Sequence, residues 1–141
     1  MVTGLENELE GITVISVEQA VAGPYCGMLL ADAGARVIKI ERPGGDFARI
    51  YDRWAEGESA IFIWLNRGKE SICLDIKSDE DMALLQNMAA KADVLLSNLA
   101  PGAMERYGLI GAQLRKANPG LITCMLSGYG RDGKAGRKKA Y

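Results

Sequence analysis

Apolar positions along this chain follow two alternating rhythms. Short runs rich in β-branched residues, at 12–15, 37–40, 71–76, 94–96 and 121–126, have the length and composition of buried strands. Between them the spacing turns helical. Residues 25–33 form one such stretch, stopped by Gly34, with Leu29, Leu30 and Ala33 predicted to face the sheet. Met82, Leu85, Met88 or Ala89, and Ala92 form another stripe behind Ser78, a cap followed by Asp79, Glu80 and Asp81 in the first turn. Two shorter helices are predicted, one opened by Pro101-Gly102 and ending near Gly108, the other over 111–118 and stopped by Asn118-Pro119-Gly120. Residues 59–65 are apolar and fit a helix or a strand equally. Residues 42–58 have no apolar period and carry Gly44, Gly45, Gly57 and the charged run 46–53, which predicts a long functional or mobile loop.

The order is strand, helix, strand, repeated, which is the pattern of an α/β chain with a mostly parallel sheet. Residues 12–42 are a complete βαβ unit, with Pro24 in the first helical turn and Gly23 where another group can approach the backbone. Ligands of such folds sit where strand C-ends meet helix N-ends. Here that places a site at residues 19–24, with Arg42 beside it. No linker or repeat divides the chain, so 1–141 is read as a single domain.

Composition narrows the chemistry. The 141 residues are 48% hydrophobic and 25% charged, with a net charge of -1, which gives no general attraction to nucleic acid or to an anionic membrane surface. No 18-residue apolar run is present, and the acidic first ten residues do not resemble a signal peptide. Cys26, Cys73 and Cys124 lie in apolar runs and are expected as buried thiols in a reducing, cytoplasmic setting. The absence of histidine removes Ser-His-Asp and Cys-His nucleophile systems and the usual zinc sites, so no metal is expected.

The candidate site residues are basic or lie at element ends. The first turn carries neither G-x-G-x-x-G nor a P-loop. Asn98 ends a strand just before Pro101, so the N–H groups of Gly102 and Ala103 are predicted to point outward as an anion site, with Arg106 one turn on. Arg42, Lys77 and Asn98 each follow a strand, and parallel strands put all three on one rim. That suits a polyanionic ligand such as a nucleotide with several phosphates, although exposed strand ends are often charged without binding anything. The basic stretch 131–139 reads as a solvated terminus rather than a nucleic-acid arm. Trp54 and Trp64 are expected to pack.

Taken in order, these segments resemble the N-terminal part of the family III CoA-transferases. The likeness runs from Leu9 to Tyr141. It is carried by Leu9-Glu10-Gly11-Ile12, Ala22-Gly23-Pro24-Tyr25-Cys26, Leu29-Leu30-Ala31-Asp32-Ala33-Gly34-Ala35 and Val37-Ile38-Lys39-Ile40-Glu41-Arg42-Pro43-Gly44. Leu65-Asn66-Arg67-Gly68-Lys69, Leu74-Asp75-Ile76-Lys77 and Ala92-Asp93-Val94-Leu95 follow. Most specific are Asn98 to Arg106, Asn118-Pro119 and Ser127-Gly128-Tyr129-Gly130.

The resemblance implies a Rossmann-like large domain, of which this chain is a part, and coenzyme A as the carrier. It implies that Arg42, Lys77, Arg106 and Lys139 lie near the phosphates. It puts Leu74, Asn98, Leu99 and Ala103 along the adenine and pantetheine path, and Gln19, Ala20 and Val21 near the thioester end. It further implies an acyl-CoA and a small carboxylic acid as substrates, and an interlocked homodimer as the parent assembly. The nucleophilic aspartate of the family falls beyond Tyr141, so the expectation is a truncated chain that is inactive alone and has no catalytic residue of its own. The related α-methylacyl-CoA racemases carry a histidine where Tyr141 stands, so the transferase branch is favoured. Within that branch, residues 18–21, 45–49 and 138–141 resemble members that use C4–C5 dicarboxylates such as succinate, mesaconate or itaconate. Val21 argues against the oxalate members. A non-catalytic nucleotide- or CoA-binding module is the alternative of a different class.

Overall fold

The computed structural model describes residues 7–130 and 132–138. Its framework is a five-stranded sheet in the order β3-β2-β1-β4-β5, formed by β1 (Thr13–Val17), β2 (Arg36–Glu41), β3 (Glu70–Cys73), β4 (Val94–Ser97) and β5 (Ile122–Met125). Every pairing is parallel, as the alternating pattern predicts. The crossovers are α1 (Ala22–Asp32), a 3-10 turn (Phe47–Ile50) with α2 (Ala60–Asn66), α3 (Asp79–Lys91), and α4 (Ala103–Arg106) with α5 (Gly111–Ala117).

Alternate strand residues supply the two faces. Ile15, Val17, Ile40 and Leu95 pack with Leu85 and Ala89 of α3, Met104 of α4 and Leu114 of α5. Val14, Val37 and Leu96 point the other way, against Cys26, Leu30 and Ala31 of α1. Ser78 caps α3 as expected, its side chain accepting the Asp81 N–H.

Several local expectations are corrected. Residues 59–65 resolve as helix, because the Ser59 hydroxyl accepts the Phe62 N–H at 3.1 Å and Asp52, from the preceding loop, accepts the N–H of Ala60 at 2.8 Å. Leu29 does not face the sheet. The buried side of α1 is Gly23, Pro24, Gly27 and Met28, and Leu29 turns outward, 48% exposed. Trp54 is 86% exposed and Trp64 lies at the surface against Tyr25, their ring centroids 6.0 Å apart. Cys73 ends the edge strand β3 and is exposed, while Cys26 and Cys124 are half-buried and unpaired. The helix after Pro101 is a single turn. The Ala103 N–H, predicted to be free, donates to the Ala100 carbonyl at 3.0 Å, and one turn carries little dipole.

Candidate functional site

Strand order reverses beside β1: the chain leaves it for β2 on one side and returns to β4 on the other. The carboxyl ends of β1 and β4 therefore frame the crevice in which doubly wound sheets bind ligands. The segment after β1 meets the segment after β4 there. The Asn98 side chain takes the Gln19 backbone from both sides. Its Oδ1 accepts the Gln19 N–H at 2.9 Å and its Nδ2 donates to the Gln19 carbonyl at 2.8 Å. Gly23 makes room for this contact, since a Cβ there would lie 2.7 Å from Asn98 Cγ and Oδ1. The expectation that another group approaches Gly23 closely is met by Asn98.

The next residue, Ala20, is buried with φ of 64°, the left-handed region that alanine disfavours. Its N–H donates to Asp46 Oδ1 at 3.1 Å. Asp46 belongs to a buried layer of charges beneath α1. Its other oxygen accepts from Lys39 Nζ at 2.8 Å. Lys39 also faces Glu18 at 3.5 Å, and Glu18 accepts from Lys69 Nζ at 2.5 Å. The side chains of Lys39, Lys69 and Glu18 are each no more than 1% exposed. Glu41 completes the layer, held by Arg49 and accepting the Asp46 N–H at 2.9 Å. Three cations thus meet three carboxylates, and among the described residues every buried side-chain polar atom has a partner. Gly27 lets α1 close over the layer, since a Cβ there would lie 2.8 Å from Glu18 Oε2.

These contacts move proton affinities. Burial pushes the Lys69 ammonium below its usual range, against the pull of Glu18. Burial alone raises Glu41, but the hydrogen bonds from Arg49, Ser71 and the Asp46 N–H outweigh it and bring the carboxyl down to about 2. Burial, with Cys124 and Glu18 nearby, raises the Cys26 thiol.

This layer was not anticipated from the sequence, yet a signal was present. A fully buried parallel strand reads as a continuous apolar run, and Lys39 interrupts Val37-Ile38 and Ile40, with Glu41 immediately after.

Two neighbouring cavities open at this edge. One, of about 250 Å³, is lined by Gln19, Arg42, Leu74, Leu99 and Ala103, together with Glu18, Asp46, Ile76 and Tyr107. The second, of about 400 Å³, is lined by Gln19, Asn98 and Leu99 with Phe47, Ser127 and Lys138. They share Gln19, Leu99 and Ala100, so they run together around the loop after β4. A mainly apolar trough with an arginine at its mouth fits a long ligand with a charged head and a less polar body.

Six predicted residues, Gln19, Arg42, Leu74, Asn98, Leu99 and Ala103, therefore meet at the trough. Ala20 and Val21 belong to the same bend, Ala20 buried beneath it and Val21 exposed. Lys77 and Arg106 are exposed and line neither cavity. Arg42 is steadied by its Nε donating to the Gly45 carbonyl at 3.1 Å. Lys139 lies outside the described residues. Phe47, Lys138 and Tyr107 were not among the predicted site residues; they come from the 3-10 turn, the C-terminal stretch and the end of α4, whose folding back onto the trough the local pattern does not encode.

Comparison with known proteins agrees with this architecture. The family described as CoA-transferase family III matches residues 9–141. An acetyl-CoA:oxalate CoA-transferase of Acetobacter aceti is 43% identical over 94% of this chain and 34% of its own length. A succinyl-CoA:mesaconate CoA-transferase of Haloarcula hispanica is 41% identical over 86% of this chain and 32% of its own. Among solved structures, a CAIB/BAIF family protein from Brucella suis superposes with a TM-score of 0.89 at 35% identity, covering 96% of this chain and 37% of that one. The chain spans about a third of the length of the relatives it matches. With the parallel sheet, the crevice at its reversal point and a match from Leu9 to Tyr141, the chain belongs to CoA-transferase family III.

Proposed function

We propose that this chain forms the coenzyme A-binding part of an enzyme that moves CoA between an acyl-CoA and a small carboxylic acid. One observation carries the reading: the trough at the reversal point is lined by Gln19, Arg42, Leu74, Asn98, Leu99 and Ala103, six of the residues that the family resemblance puts along CoA. Arg42 stands at the phosphate end, the apolar walls suit pantetheine, and the Gln19–Val21 bend faces the thioester end. Lys77 and Arg106 act from the rim, as screened charges rather than as walls. The proposal assigns binding to this chain and no nucleophile within it.

The acid that accepts CoA is proposed as a dicarboxylate. Overall identity does not separate oxalate from the C4–C5 acids, since relatives acting on each are 43% and 41% identical to this chain. A cytoplasmic location and an interlocked pair of chains belong to the same proposal. Among the described residues no helix is long and apolar enough to cross a membrane.

The test is isothermal titration of the chain with CoA and, separately, with NAD. CoA is expected to bind more tightly than NAD, to weaken with added salt, and to lose affinity in Arg42→Ala. Equal binding of the two ligands moves the assignment to a general nucleotide module, and no CoA binding by a folded chain overturns it.

A further inference from the structure

We propose that Asp46 is a positioning residue: oriented by Lys39 and Glu41, it holds Ala20 in its left-handed conformation and so fixes the Gln19–Val21 bend at the wall of both cavities. The identification of the bend as the reactive end of a CoA site rests on the preceding reading. The clamp itself rests on geometry.

All of Asp46's polar groups are committed. Oδ1 accepts the N–H of Ala20 at 3.1 Å and of Ala48 at 3.0 Å. Oδ2 accepts from Lys39 Nζ, and the backbone N–H donates to Glu41 Oε2. The carboxylate therefore cannot swing without breaking a charged contact. It presses on a residue with a reason to move, because alanine at φ of 64° relaxes toward negative φ when released. That rotation turns the Gln19–Ala20 peptide, strains the Asn98 contacts and takes the Gln19 side chain away from the trough. Successive peptide groups of the bend are thus gripped by different segments, the loop after β2 holding Ala20 and the loop after β4 holding Gln19.

The size of the effect follows from populations. A free alanine occupies positive φ only a few per cent of the time, whereas glycine does so about half the time. Apparent affinity scales with the fraction of chains in the competent state, so losing the clamp should weaken binding about tenfold or more, and glycine at position 20 should limit the loss to about twofold. A purely structural role for Asp46 predicts no such rescue.

The paired variant Lys39→Met/Asp46→Leu removes the clamp without stranding a charge. CoA titrations of the wild type, this variant, Ala20→Gly and the triple variant read affinity. The intraresidue HN–Hα NOE of Ala20, strong only at positive φ, reads the bend without any ligand. The expected results are a loss of about tenfold in the paired variant, recovery to within about twofold on adding Ala20→Gly, and a weakened NOE. An unchanged affinity, a loss that glycine does not recover, or an NOE that persists without Asp46 overturns the proposal. If the wild type binds no CoA, the functional reading fails, and the NOE alone then decides on the clamp. If the paired variant does not fold, Asp46→Ser, too short to reach Ala20, takes its place with the same outcomes.

Discussion

Acid should weaken the fold around the site through Glu41. Its side chain is 4% exposed and accepts hydrogen bonds from Arg49 Nε and Nη2 at 2.8 and 2.7 Å, Ser71 Oγ at 2.7 Å and the Asp46 N–H at 2.9 Å. Together they overcome burial and hold the carboxyl at about 2, against an ordinary 4.5. A carboxyl whose folded pKa lies below its unfolded value stabilises the fold above the unfolded value and stops doing so as pH falls toward the folded one. The gap corresponds to about 3 kcal/mol. Because the Arg49 side chain is 42% exposed, solvent screening trims this to about 2 kcal/mol. The perturbation is Glu41→Gln, which cannot ionise. Urea unfolding of both proteins, repeated from about pH 6 to about pH 1.5, should show the wild type ahead by about 2 kcal/mol at the upper end, with the margin shrinking below about pH 4.5 and nearly gone at the lower end. A difference that stays constant across that range refutes the reasoning, since it assigns the effect of the substitution to shape rather than to charge.

Gly23→Ala should cost about 1–3 kcal/mol in stability and weaken CoA binding in titrations, because the added methyl occupies the space of the Asn98 amide. Leu85→Ala, fully buried in α3 and lining neither cavity, should cost about 2–5 kcal/mol in urea unfolding and change the affinity of the folded protein less than Arg42→Ala does. Iodoacetamide should label Cys73 first and Cys26 much more slowly at neutral pH, because Cys73 is exposed while burial raises the Cys26 thiol. Mass spectrometry of the labelled peptides checks that order.

The parallel sheet was legible because four of its strands are short apolar runs set between helical stretches; the edge strand β3, expected over 71–76, instead spans Glu70–Cys73 and is largely exposed. The apolar runs are local information, and they placed Arg42 and Asn98 on one edge correctly. What was not legible depends on contacts between distant segments. The helix at 60–66 takes its start from Asp52, eight residues earlier, through side-chain bonds that no apolar period records. The outward turn of Leu29 reflects what lies under α1: over the charged side chains the helix presents Gly23 and Gly27, while Leu30 packs on the sheet as expected. The buried layer was missed for the same reason. Lys39 and Lys69 look like surface lysines unless the strand and turn that carry them are known to be covered.

That layer bears on why the bend is built as it is. The pairs that Lys39 and Lys69 make with Asp46 and Glu18, taken out of water, add little to stability, and well-packed apolar side chains could fill the same volume at no greater cost. Apolar side chains cannot accept an N–H, however. Ala20 directs its N–H inward, into the layer, and only an acceptor fixed in place can keep it there. Lys39 holds one Asp46 oxygen, and Glu41, itself held by Arg49 and Ser71, receives the Asp46 N–H. The chain of partners ends at Arg49, which is half in solvent, so the last charge is met by water. Orientation at Ala20 is therefore set by a line of fully committed groups running from the surface to the trough. It follows that substitutions along this line should affect ligand binding in proportion to how far they free the Asp46 carboxylate, rather than in proportion to the stability they remove.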